Sequence, residues 1–160
     1  VLEFLDLSKT FSEKELRKAI LDNLRDFFLE FGKNLSFIGE EYPLVVDNEE
    51  FRIDLLFFHR ELKCLIPIEL KIGDFKPEFV GKMQFYLAAL DEQVKLSHEN
   101  HSIGMILCRS KRESIVRLTL SKSHKPIKIS AYQTKLPDKK LLQERLERIK
   151  LPDKLLKSGK

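Results

Sequence analysis

A chain of 160 residues, 42% hydrophobic and 34% charged, has the composition of one globular domain able to bury about two-thirds of its unfolded surface. No apolar run approaches the ~18 residues needed to span a bilayer, and no signal-peptide pattern opens the chain. The net charge of +4 is unevenly spread: residues 1–50 carry 12 acids and 6 bases, while residues 51–160 carry 13 and 23, an asymmetry that points to a polyanionic partner.

Cys64 and Cys108 each sit in an apolar, strand-like run and read as small buried hydrophobes, which fits a reducing cytoplasm and excludes a disulfide-built scaffold. The chain begins at Val1 without Met, as a processed form or a domain cut from a longer protein would.

Ser12-Glu13-Lys14-Glu15 matches a capping box, and Leu16, Ile20, Leu24, Phe27, Phe28 and Phe31 follow at helical spacing until Gly32. An amphipathic helix of about five turns is predicted. Its Glu15, Asp22 and Glu30 are most simply solvated face charges. Residues 35–46 read as a strand broken near Gly39, with a turn at Asp47-Asn48-Glu49. Glu40 and Glu41 on that strand either face a site or deter edge pairing.

Residues 51–58 and 63–71 are apolar runs separated by His59-Arg60-Glu61-Leu62, the pattern of a β-hairpin. Strand alternation places Glu69 and Lys71 on one face of the second strand. A turn through the four polar residues sets Phe58 opposite Lys63 and Asp54 opposite Pro67. Glu69 then lies diagonal to Asp54, about 7 Å away between backbones. Two carboxylates and an ammonium in one apolar patch cost several kcal/mol per ion unless they pair or meet a metal. Two readings follow: a divalent-cation site of hard oxygen ligands, or a buried Glu69-Lys71 or Asp54-Arg52 ion pair. The second Glu-x-Lys, Glu61-Leu62-Lys63, sits at the polar turn and reads as a solvated charge pair.

Gly73-Asp74-Phe75-Lys76-Pro77 is a loop, and residues 77–90 are a predicted helix with Pro in its first turn and a core stripe of Phe79, Met83, Tyr86, Leu87 and Leu90. Gln84 shares a small-residue face with Gly81 and Ala88, which would let the helix approach the hairpin and aim the amide inward. By position alone an exposed polar residue is the simpler reading. A strand over 102–108, a helix over 113–120 and a strand over 127–131 extend the sheet by βαβ steps. His98-x-x-His101 has no third ligand nearby and reads as loop. From Arg109 to Lys128 there are seven basic residues against one acid, Glu113. Arg109, Lys111, Arg112, Arg117, Lys122 and Lys125 are the candidates for phosphate-backbone contact, with a plain solvated surface as the other reading. The chain ends in a basic tail, residues 138–160, with an amphipathic segment carrying Leu141, Leu142, Leu146 and Ile149.

Asp54, fourteen residues, then Glu69-Leu70-Lys71 on the second strand of a hairpin resembles the active-site motif of the PD-(D/E)xK nuclease superfamily. The longer text RIDLLFFHRELKCLIPIELKIGDFKPEFVGKMQFYLAALD, followed by SIGMILCRSK, resembles the nuclease domain of bacterial YhcG-type proteins. It departs from the superfamily's name in having Arg52-Ile53 before Asp54 where a Pro stands in the motif.

The resemblance, which runs from about Glu15 to Pro137, implies an α/β domain with a restriction-endonuclease-like mixed central sheet flanked by helices, in the order αβββαβ, over residues 1–137. It implies a metal-dependent nuclease acting on DNA phosphodiesters, cutting within the strand. Asp54, Glu69 and the carbonyl of Leu70 would hold Mg²⁺ or Mn²⁺, Lys71 would orient the attacking water, and Gln84 would assist. Glu30, near the end of the first helix, is the candidate further ligand. DNA is the implied partner and no membrane is. A homo-oligomer or a missing N-terminal domain is left open. The competing reading is a nuclease-like module that binds DNA or a protein without cutting. A scaffold acting through the tail helix is a third.

Overall fold

The computed structural model describes residues 2–3 and 13–133, with the side chains at 2, 3, 13, 16, 27, 29–31 and 133 outside that description. The capping box at Ser12 and the tail of residues 138–160 lie outside the described residues. The chain divides into two compact units, residues 1–33 with 133–160, and residues 34–132. No helix among the described residues is long and apolar enough to cross a membrane.

The first unit holds β1 (Leu2–Glu3) and α1 (Glu13–Phe31). Ile20, Leu24 and Phe28 recur every four residues and are buried as one stripe, while Lys18 and Asp22 pair at 3.1 Å on the solvent side. The Gly32 N–H donates to the Phe28 carbonyl at 2.8 Å, where the helical pattern stops.

The second unit contains β2 (Leu35–Val46), β3 (Glu49–His59), β4 (Cys64–Leu70), α2 (Glu78–Gln93), β5 (Gly104–Cys108), α3 (Glu113–Leu120) and β6 (Ile127–Gln133). Its strands lie in the order β6-β5-β4-β3-β2. β2, β3 and β4 form an antiparallel meander, and β4-β5 and β5-β6 are parallel. Parallel neighbours need a crossover. α2 supplies it between β4 and β5, and α3 between β5 and β6. The mixed sheet and the element order are those implied by the sequence resemblance.

Local chemistry sets the turns. Asp47 and Asn48 both have positive φ, 52° and 66°, and join Val46 to Glu49 as a two-residue hairpin turn whose twist suits the strands. β2 does not break at Gly39. It continues through a register shift between Phe37 and Gly39, an inserted residue that bends the edge strand.

The β3-β4 register differs from the expected one by two residues. His59 belongs to the strand, opposite Cys64, and the turn is made by residues 60–63. Two bonds hold it there: the Lys63 N–H donates to the His59 carbonyl at 2.7 Å, and His59 Nδ1 accepts the Leu62 N–H at 3.0 Å. Leu56, rather than Asp54, therefore faces Pro67. Reading the turn from polarity alone misplaced His59, because its ring satisfies the turn from within the strand.

All seven residues of β4 are buried, as a central strand covered on both faces requires. Pro67 is tolerated there because pairing with β5 starts one residue later, at Ile68↔Met105. α2 buries Val80, Met83, Tyr86, Leu87, Ala89 and Leu90, with Phe79 half-buried. A Cβ at Gly104 on β5 would meet Met83 Cγ at 2.6 Å, so any side chain there requires Met83 to shift. Cys64 and Cys108 are free and buried.

Candidate active site

Backbone pairing of β3 with β4 runs up to Leu55↔Ile68. One step beyond, the two strands are joined through side chains. The Asp54 N–H donates to Glu69 Oε2 at 2.7 Å, and the Leu70 N–H donates to Asp54 Oδ2 at 2.8 Å. Asp54 and Glu69 therefore stand opposite each other, closer than the diagonal arrangement expected from sequence. Their relative exposures are 6% and 4%.

Each carboxylate thus spends one oxygen on a main-chain donor. Two such acceptor bonds do not neutralise two buried charges. Burial pushes the Glu69 carboxyl up to about 8, with the Asp54 charge as the second cause; the Asp54 N–H, Lys82 and Lys71 oppose the rise. The same carboxylates help raise the Tyr86 hydroxyl after burial itself. A like-charged pair that holds on to a proton at neutral pH is a pair lacking positive charge.

The basic side chains around it come from two elements. Lys71, one residue past β4, donates its N–H to the Leu107 carbonyl at 2.7 Å and sends its ammonium over the Phe79 ring, 4.8 Å from the centroid. Lys82, on α2, places Nζ 4.0 Å from Glu69 Oε1 and 5.6 Å from the Tyr86 ring centroid. Phe79, Lys82 and Tyr86 are spaced i, i+3, i+7, so one flank of α2 covers the carboxylates. Tyr86 also donates to the Arg52 carbonyl at 3.4 Å.

Lys82 was not singled out from the sequence, where a helical Lys reads as a surface charge. The available signal was its position between two aromatic residues of the core stripe. Gln84 is a correction. Two residues from Lys82 is about 200° around the helix. Its amide accordingly points to the other flank, where Nε2 donates to Ser123 Oγ at 2.9 Å. Gly81 and Ala88 are exposed, so the small-residue face does not pack on the hairpin.

The remaining candidates distribute as follows. The side chain of Glu30 lies outside the described residues. Glu40 and Glu41 are exposed on the edge strand. Arg52 pairs with Glu50 at 3.2 Å and donates to the Glu41 carbonyl at 3.5 Å. Glu61, in the other Glu-x-Lys, accepts from Asn34 at 3.0 Å at the exposed turn. Of the basic segment, Arg109 pairs with Asp74 at 3.3 Å and Lys111 with Glu113. Arg112, Arg117 and Lys122 are exposed, and Lys125 is half-buried. His101 Nδ1 lies 3.1 Å from Asp91 Oδ2.

Could these residues hold a divalent cation? Among the described residues no third His, Cys, Asp or Glu joins the pair. Two carboxylates are nevertheless the protein contribution typical of Mg²⁺, which keeps several waters and takes its other oxygens from substrate phosphate. The donor set fits.

A mixed sheet with crossover helices, carrying an Asp, a Glu-x-Lys and an aromatic-lysine helix flank at the end of a hairpin, defines a restriction-endonuclease-like nuclease domain. The chain belongs to the family described as the YhcG PDDEXK nuclease domain, whose model matches residues 1–147. It is 39% identical over 148 residues to an Escherichia coli (strain K12) protein named "Putative nuclease YhcG", covering 92% of this chain and 40% of that protein. The chain therefore spans less than half the length of this relative. Among solved structures it is similar to EndoMS in complex with double-stranded DNA, with a TM-score of 0.51 and 16% identity over 86% of this chain and 51% of that one. A repair endonuclease from Pyrococcus abyssi aligns at a TM-score of 0.48 and 19% identity, over 82% of this chain and 50% of that one.

Proposed function

We propose that this domain hydrolyses phosphodiester bonds within DNA, using Mg²⁺ or Mn²⁺ held by Asp54, Glu69 and the Leu70 carbonyl. The observation that carries the reading is the buried Asp54-Glu69 pair, whose charge deficit a divalent cation would remedy in place of a proton. When bound there, the cation supplies Lewis-acid polarisation of a phosphoryl oxygen and acidifies the attacking water.

The chain's own groups do the rest. Asp54 and Glu69 are held in place by main-chain donors on each other's strands, so the site is organised before substrate arrives. Lys71, whose stem lies along Phe79, orients the water and stabilises the negative charge that grows on the phosphorane. Lys82, 4.0 Å from Glu69 Oε1, opposes the rise in the Glu69 carboxyl and offers a second cation to the phosphate. Arg112, Arg117, Lys122 and Lys125, with Arg109 and Lys111 once released from their acidic partners, contact the backbone without reading sequence. The fold likeness to a protein solved on double-stranded DNA is consistent with that partner.

The test is incubation of the protein with closed circular, linear and branched DNA in Mg²⁺ or Mn²⁺ and in EDTA, beside Asp54→Ala and Lys71→Ala. Cleavage of the closed circle that needs metal and is lost in both variants is expected. Full activity in either variant would remove the assignment. A gel shift with no shortening of DNA would mean a binding module, or chemistry that needs the rest of a longer protein.

A further inference from the structure

Lys71 stands where β4 leaves the sheet, and its main chain is gripped from both sides. Its N–H is held by the Leu107 carbonyl at 2.7 Å. On the other side, the hydroxyl of Tyr132 lies 3.1 Å from the Lys71 carbonyl and 3.4 Å from that of Ile72. Tyr132 belongs to β6, two strands away from β4 in the sheet. Neighbouring strands are about 4.8 Å apart, so the side chain and its hydrogen bond together span about 10 Å past the end of β5. Only a long, rigid side chain with a terminal donor does this.

The residue is 2% exposed, so the hydroxyl is committed to these carbonyls rather than to bulk water. Past this point the chain is tied to β5 again by the Arg109 N–H to the Gly73 carbonyl at 3.0 Å and the Phe75 N–H to the Ser110 carbonyl at 2.8 Å. Between those ties and the end of β4, Tyr132 adds its hydroxyl at the carbonyls of residues 71 and 72 to the Leu107 tie on the Lys71 N–H.

We propose that Tyr132 is a positioning residue for Lys71: its hydroxyl fixes the main chain from which the Lys71 ammonium projects along Phe79 toward the carboxylate pair. The inference rests on the nuclease reading above. A lysine on a strand end with four rotatable bonds needs a fixed Cα before its ammonium can occupy one place. Loss of the bond leaves DNA and metal affinity alone and disperses the ammonium.

The experiment is single-turnover and steady-state cleavage by Tyr132→Phe, which keeps the ring in its buried site. At a temperature where both proteins are folded, we expect kcat to fall at least tenfold, with KM for DNA and the Mg²⁺ dependence within twofold of the wild type. A core variant away from the site, Val116→Ala, controls for stability, since it lowers Tm without changing kcat. Hydrogen exchange over residues 70–75 should quicken in Tyr132→Phe and not in Val116→Ala. Wild-type kcat in Tyr132→Phe, or unchanged exchange in that segment, overturns the inference. If Tyr132→Phe alone does not fold, the comparison is made in an Asn48→Gly background, in which the left-handed hairpin turn is relieved. An inactive wild type would instead count against the nuclease reading, and the exchange result would still decide whether Tyr132 anchors Lys71.

Discussion

At the scale of residues, the site is governed by two acids that the fold has moved out of water. Glu69 is the more revealing of them. Its folded carboxyl sits near 8 against an ordinary value of 4.5, so between those values the folded protein holds a proton that the unfolded chain has released. Stability of the metal-free protein must then fall as pH rises through that window. Glu69→Gln removes that titrating proton. In EDTA its Tm is expected to exceed that of the wild type at pH 8 and to match it at pH 4; a lower Tm at pH 8 would show that the carboxylate is fully compensated. Mg²⁺ should raise the wild-type Tm at pH 8 and leave Glu69→Gln unmoved. The α2 lysine makes a second prediction at this scale. Lys82→Ala is expected to lower kcat about tenfold or more, as loss of a charge near a developing phosphorane does. Gln84→Ala, bonded on the far flank, should stay within about twofold, and the reverse order would restore Gln84 to the site.

At the scale of elements, the hairpin and α2 place those residues, and each depends on a few local choices. Residues 60–63 make a turn in which Lys63 takes a left-handed backbone, φ 54°, and this sets Asp54 against Glu69. A slip of one residue would send both acids to opposite faces. α2 owes its seat to Gly104, where a methyl group would run into Met83. Gly104→Ala is therefore expected to destabilise by about 1–3 kcal/mol, the usual cost of overpacking, measured by chemical denaturation. A full-stability Gly104→Ala would mean that Met83 swings aside at no cost. Because Lys82 rides on α2, the same variant should also weaken cleavage.

At the scale of the molecule, the chain's basic excess lies after residue 50, and its exposed part includes Arg112, Arg117 and Lys122. If these neutralise DNA phosphates, each contributes about 0.9 to the slope of log affinity against log salt. Arg117→Ala with Lys122→Ala is expected to lower that slope by about two while leaving the ratio between different DNA sequences unchanged. A slope equal to the wild type would mean that these side chains are solvated surface. The chain covers 40% of the length of its Escherichia coli relative.

The sequence put forward Asp54, Glu69 and Lys71 through its family resemblance, and by itself determined the element order and the parallel and antiparallel halves of the sheet. These rest on signals local in the chain: a period of 2 or 3.6, turn residues, and charges set into apolar runs. The two-residue shift in the hairpin, the placing of Lys82 rather than Gln84 beside Glu69, and the reach of Tyr132 across β5 were decided only by the tertiary structure. Each depends on contacts between residues far apart in sequence, or on which of two nearly equivalent faces packing selects. A ring nitrogen that satisfies a turn, a helix rotated by one flank and a hydroxyl that crosses a strand leave no periodic trace.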